Sequence, residues 1–249
     1  MTEYGLYGDD GRGDYELPGG WLAVGDDVHT TALDNTLEAL SAEAAPDRLR
    51  RYYDREGHYA GTLFLDVQPN FPNTIEPSDL YALTTLSIDV DPLQGRLLLD
   101  SSSQQRQVRR LLRSIPDDLP LTDIGSAGAE MLIRMEELHS LLRTSLGGSS
   151  NRWVFASKLC ARKRACLFPV RDNLVCELLG GWEKLSPGNG RPGNFRVDIQ
   201  VYAFLVTHPE VRSLLAARRG ELHESGIEVD LEDLRLLDAC LWMAAKAAR

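Results

Sequence analysis

From residue 76 onward, apolar positions return at the spacing of three or four residues that one face of a helix requires. In EPSDLYALTTLSIDV (76–90), Leu80, Leu83, Leu86 and Ile88 keep that spacing. Pro77 suits a first helical turn, and Ser78 and Asp79 stand where side-chain oxygens meet free N–H groups. The pattern predicts further helices over 103–115 and 126–146, the second long, amphipathic and stopped by Gly147-Gly148. RWVFASKLCARKR (152–164) is predicted to be the next helix. Pro169 ends it by disfavouring a helical Phe168, and Asp172 then opens NLVCELLGGWEKL, which Gly180-Gly181 should stop. SPGNGRPGN (186–194) reads as a loop. Helices over 195–207, 209–220 and 229–248 complete the chain, the last with Asp230 as N-cap and an apolar stripe through Leu234, Leu237, Cys240, Leu241 and Met243.

Before residue 75 the pattern weakens. Residues 1–45 are rich in Gly, Asp and Ala and predict loops with one short helix in TLEALSAEA. DRLRRYYDREG (47–57) suits a short helix, whereas HYAGTLFLDV (58–67) has the composition of a strand. The expectation is a mainly α protein with a loop-rich portion at 1–74, containing a short extended or β segment, and a helical domain at 75–249. No internal repeat or sustained heptad interrupts it.

Composition narrows the class. The hydrophobic content of 43% is that of a soluble globule, and no run approaches the ~18 apolar residues of a membrane span. The N-terminus lacks the basic, apolar and cleavage regions of a secretory signal, so a cytoplasmic protein is expected. Cys160, Cys166, Cys176 and Cys240 form no CxxC pair and read as reduced, buried thiols. The five histidines show no metal-ligand spacing, and no phosphate-cradling or dinucleotide glycine loop occurs, so neither metal nor cofactor is expected.

Charge is uneven. The net charge of −10 repels phosphate backbones, yet two of the four lysines fall in ASKLCARKRACLFPVRD (156–172). There Lys158, Arg162, Lys163 and Arg164 precede a single acid, Asp172. Two readings compete for the cations: a solvated helix face or ion pairs with the chain's many acids, or a site for phosphate or another anion. Asp172 likewise reads as a helix cap or as a working carboxylate. Arg106, Arg109, Arg110 and Arg113 crowd one side of the 103–115 helix, and Arg235 stands three positions before Asp238 as its salt-bridge partner.

The order of helix, Gly/Ser-containing hairpin, helix, Pro-containing turn, acid and helix over roughly 125–185 resembles the helix-hairpin-helix DNA glycosylases of the endonuclease-three superfamily. The resemblance implies a fold of that type, with Asp172 as the catalytic acid and Arg152 beside the phosphate-binding hairpin. It departs from the pattern in three ways. Ser150, Asn151 and Arg152 replace the usual hairpin glycines, Val154 stands where bifunctional enzymes carry a Schiff-base lysine, and there is no cysteine-rich iron–sulfur loop. The implied enzyme is therefore a monofunctional N-glycosidic hydrolase without lyase activity, or a silent relative.

IEPSDLYALTTLS (75–87), ASKLCARKRACLFPVRD and DLRLLDACLWM (233–243) also resemble a bacterial family without assigned function, the domain of unknown function numbered 6308. The leading functional expectation is nucleic-acid association, with Asp172 catalytic and Lys158, Arg162, Lys163, Arg164 and Arg152 binding DNA or another anionic ligand. The alternative is a small-molecule enzyme or binder of specialised metabolism built on the same scaffold.

Overall fold

A computed structural model describes residues 26–100, 102–144, 152–185, 195–229 and 232–249. Among these the chain is helical throughout, without a strand. The helices are α1 (Asp26–Ser41), α2 (Ala45–Tyr53), α3 (Leu63–Asp66), α4 (Pro77–Thr85), α5 (Pro92–Leu99), α6 (Ser102–Ser114), α7 (Ile124–Ala127), α8 (Ala129–Thr144), α9 (Arg152–Lys163), α10 (Asn173–Leu185), α11 (Phe195–Thr207), α12 (Pro209–Glu224) and α13 (Asp233–Ala247). A single 3-10 turn, Leu121–Asp123, leads into α7.

Local chemistry explains most of the starts. In α4, the Asp79 side chain accepts from Glu76 N at 2.8 Å in a capping box behind Pro77. In α5, Asp91 Oδ1 accepts from Leu93 N at 2.7 Å, again ahead of a proline. In α10, Asp172 Oδ1 accepts from Val175 N at 3.0 Å. The last helix begins after Glu232, while Asp230 lies outside the described residues.

Several expectations change. The long helix α1 occupies a stretch read as loop with a short helix, because its apolar face, with Ala32, Thr36, Ala39 and Leu40 buried, is supplied with partners by α10, α11, α12 and α13. Residues 58–67 form turns and α3 instead of a strand, for there is no neighbouring strand to pair with among the described residues. The helix read over 76–90 stops at Thr85, where Ser87 takes a left-handed φ of 59°, and α5 follows as a separate helix. Gly128, at φ 81°, divides α7 from α8. Gly180-Gly181 lie within α10 and do not end it, since packing against α1 and α13 outweighs the propensity loss of about 1 kcal/mol per glycine.

Two helices carry the interior. Ten residues of α11 are buried, leaving it almost no solvent face. From Trp153 through Arg164, every residue of α9 and its C-terminal exit is buried as well, charges included. Helices α4 and α8 flank α9, while α1 and α2 close over α10, α12 and α13. The boundary at residue 74 falls between α3 and α4, which pack on one another. One apolar cluster runs from Ala32 to Ala244.

Candidate functional site

A buried helix with four cations must satisfy each of them internally, because an unpaired charge in the interior costs several kcal/mol. Arg162 Nε lies 3.2 Å from Asp79 Oδ1, and its two terminal nitrogens donate to the carbonyls of Phe64 and Val67. Lys163 Nζ pairs with the second Asp79 oxygen and donates to Asn70 Oδ1 and Phe71 O, both at 3.1 Å. Arg164 donates to Ile115 O at 2.8 Å, to Pro72 O and Lys163 O at 2.7 Å, to Asn73 Oδ1 at 3.0 Å, and to Leu112 O. Burial lowers the pKa of all three, while Asp79 raises those of Arg162 and Lys163 and Asp117 that of Arg164.

These side chains therefore fasten the 64–73 segment and the end of α6 to α9. They present neither a solvated face nor an open anion site; Arg162 and Lys163 instead make ion pairs with an acid, Asp79, which is the other half of the structural expectation. Arg152 opens α9, but its side chain lies outside the described residues, as does the 147–151 hairpin. Arg171, which the sequence reading passed over, is also internal. Its Nε donates to Asp198 Oδ2 at 2.8 Å and its Nη1 to Ser157 Oγ at 3.2 Å, between the rings of Trp153 and Phe195. Burial raises the Asp198 pKa to about 6 against the opposing pull of Arg171.

Lys158 faces another way. Together with Asp172 it lines a cavity of about 330 Å³ whose other walls come from α2, the 58–61 turn, α3, the end of α4 and α13. Its Nζ donates to Leu86 O at 2.9 Å and lies 3.9 Å from Asp172 Oδ2. Burial lowers the Lys158 pKa, and Asp172 opposes that shift. Asp172 thus caps α10 through Oδ1, as one of its two readings expected, while Oδ2 turns toward the Lys158 ammonium. Of the predicted site residues whose side chains are described, the structure brings Asp172 and Lys158 together and sends Arg162, Lys163 and Arg164 elsewhere.

The turn that presents Asp172 is held from α13. Arg235 Nη2 donates to Phe168 O and lies 2.8 Å from Asp238 Oδ2, and the same oxygen accepts from Val170 N at 3.0 Å. The expected Arg235–Asp238 salt bridge is present and clamps residues 168 and 170, so Val170 and Asp172 reach the cavity in a defined order. Burial raises the Asp238 pKa to about 6, Arg235 and the Val170 N–H pull it down, and Asp172 adds a further upward push.

Part of the lining is aromatic. Tyr59 and Tyr52 meet Trp242 edge-on, with centroids at 5.6 and 6.2 Å, and the two tyrosines stack at 6.4 Å. A Cβ on Gly61 would run into the outer edge of the Tyr52 ring, so a side chain there requires that ring to shift. Sequence reasoning missed this wall. The signal was the aromatic density of RYYDREGHYAG, which helical periodicity does not register. Among the described residues, no group of three or more His, Cys, Asp or Glu is placed to hold a metal, and no helix is long and apolar enough to cross a membrane.

One family model, described as a family of unknown function (DUF6308), matches residues 45–245. That span includes every residue lining the cavity except Lys246, which follows it directly. No curated protein and no solved structure matches the chain.

Proposed function

Because the chain belongs to the family of unknown function DUF6308, whose name carries no activity, we propose a function from the cavity itself: a small-molecule site that takes a planar, polar ring against Tyr52, Tyr59 and Trp242 and works on it with Asp172. The observation that carries this is the division of labour on Asp172. One oxygen is tied to Val175 N and the other turns toward Lys158 in a cavity that Tyr52, Tyr59 and Trp242 also line. A carboxylate held in this way can stabilise positive charge developing on a sugar ring as its bond to a nitrogen base breaks, or orient the water that attacks it. The volume is within the range of nucleoside-sized ligand sites. Free ribonucleosides are therefore the first substrates to test, and the reaction is hydrolysis of the N-glycosidic bond.

Asp172→Asn is the informative variant, because asparagine also caps helices and keeps the shape. Wild type incubated with a panel of nucleosides should release free base and gain melting temperature. The variant should keep the thermal shift and lose base release. Equal behaviour of the two proteins, or no shift with any nucleoside, refutes the reading.

Nucleic-acid association is a second reading, and one observation favours it. Arg106, Arg109, Arg110 and Arg113 are all exposed on α6, which has no acid of its own. Duplex binding that weakens with salt and with Arg→Gln changes at these positions supports it; binding indifferent to both eliminates it.

A further inference from the structure

Three cations and two carboxylates line the cavity, and four of these five groups are committed to one another or to the backbone. Lys158 holds Leu86 O and faces Asp172; Arg235 holds Phe168 O and Asp238. Lys246 is the exception. It is exposed at the mouth, and none of the ion pairs among the described residues involves it. It is nonetheless positioned, for its Nζ lies 4.7 Å from the Tyr59 ring centroid and 4.8 Å from that of Trp242.

Two aromatic faces hold an ammonium by cation–π attraction, and neither face neutralises its charge. The rings that grip Lys246 are the ones proposed to receive the ligand's planar group. A ligand stacked there has its next substituent beside the ammonium. The three lining cations outnumber the two lining carboxylates, in a protein whose formal net charge is −10.

We infer that Lys246 is an anion-recognising residue and that the ligand is an anionic one: a planar ring bearing a phosphate ester or a carboxylate that stays at the rim while the ring enters. This rests on the proposed cavity function and specifies its substrate class as a nucleoside phosphate or a ring carboxylate, in preference to the neutral nucleoside. Lys246 belongs to binding and takes no part in bond breaking. Partial fixation by Tyr59 and Trp242 lowers the entropy lost when the anion docks.

The test is titration calorimetry on the full chain with four probes: guanosine, guanosine 5′-monophosphate, nicotinamide and nicotinic acid. The charged member of at least one pair should bind about tenfold tighter, the equivalent of 1.4 kcal/mol. The nucleotide pair reports phosphate as the anion and the nicotinic pair reports carboxylate. Lys246→Gln should erase that ratio, and raised salt should shrink it in wild type only. Equal affinities within both pairs overturn the inference and leave the cavity function standing. A ratio that survives in Lys246→Gln also overturns it, and binding of none of the four probes overturns both.

Discussion

Asp79 is the residue on which the interior charges depend, and replacing it by asparagine is the sharpest stability test. Its side chain and those of Arg162 and Lys163 are at most 1% exposed. One oxygen serves Arg162, the other pairs with Lys163 and accepts from Glu76 N at the start of α4. Asparagine keeps the volume and removes the charge, so two buried cations lose their counter-ion. Breaking a buried pair costs about 3–5 kcal/mol, and weakening the cap adds ~1 kcal/mol at most. The expected loss is therefore about 4 kcal/mol, a large fraction of the 5–15 kcal/mol typical of a folded domain. Urea unfolding followed by far-UV circular dichroism measures it. Adding Lys163→Met to Asp79→Asn should recover part of the loss, since one uncompensated charge disappears. A single variant within about 1 kcal/mol of wild type, or a double variant weaker than the single, would refute the view that Asp79 neutralises the interior of α9.

Three further outcomes follow from separate groups. His139 is buried beside Ser157 Oγ (3.1 Å) and Trp153 O (3.3 Å), and burial, with Arg171 next, lowers its pKa to about 3. The folded state thus holds fewer protons than the unfolded one between pH ~6.5 and 3, so this contribution is complete above ~6.5 and is lost as pH falls. Asp198 and Asp238, raised to about 6, act in the opposite sense between pH ~4 and 6, and comparison with His139→Gln isolates the histidine: the variant's melting temperature should fall less from pH 7 to 4. Ser87→Gly should stabilise the protein by about 0.5–1 kcal/mol in thermal unfolding, because glycine occupies the left-handed region without strain; destabilisation would mean that the serine hydroxyl is needed. Cys160, Cys176 and Cys240 are buried with raised pKa values, Cys240 to about 12, whereas Cys166 is half-buried and raised to about 11. A thiol reagent should therefore modify Cys166 first and slowly in native protein, and Cys166→Ser should remove that phase.

Caps and short-range breaks were legible because they depend on neighbours a few residues away. Pro77, Pro169 and the capping role of Asp172 belong to this class, as does the Arg235–Asp238 pair at helical spacing. The glycine stops were less reliable. The cost of Gly180-Gly181 within a helix is small beside tertiary packing, and Gly128 broke a helix that periodicity alone would continue. The cavity was half legible: Asp172 and Lys158 stood out as charges in an apolar run, but Tyr52, Tyr59 and Trp242 come from opposite ends of the chain.

By itself the sequence determined that this chain is mainly helical from residue 76 onward, and that one acid follows a block of cations. Only the tertiary structure decided what surrounds those cations. A guanidinium can be satisfied by water, by phosphate or by carbonyl oxygens, and residue order does not distinguish them. Here Phe64, Val67, Pro72, Leu112 and Ile115, all distant in the chain, supply the carbonyls, so a helix with a charged composition became the centre of the core.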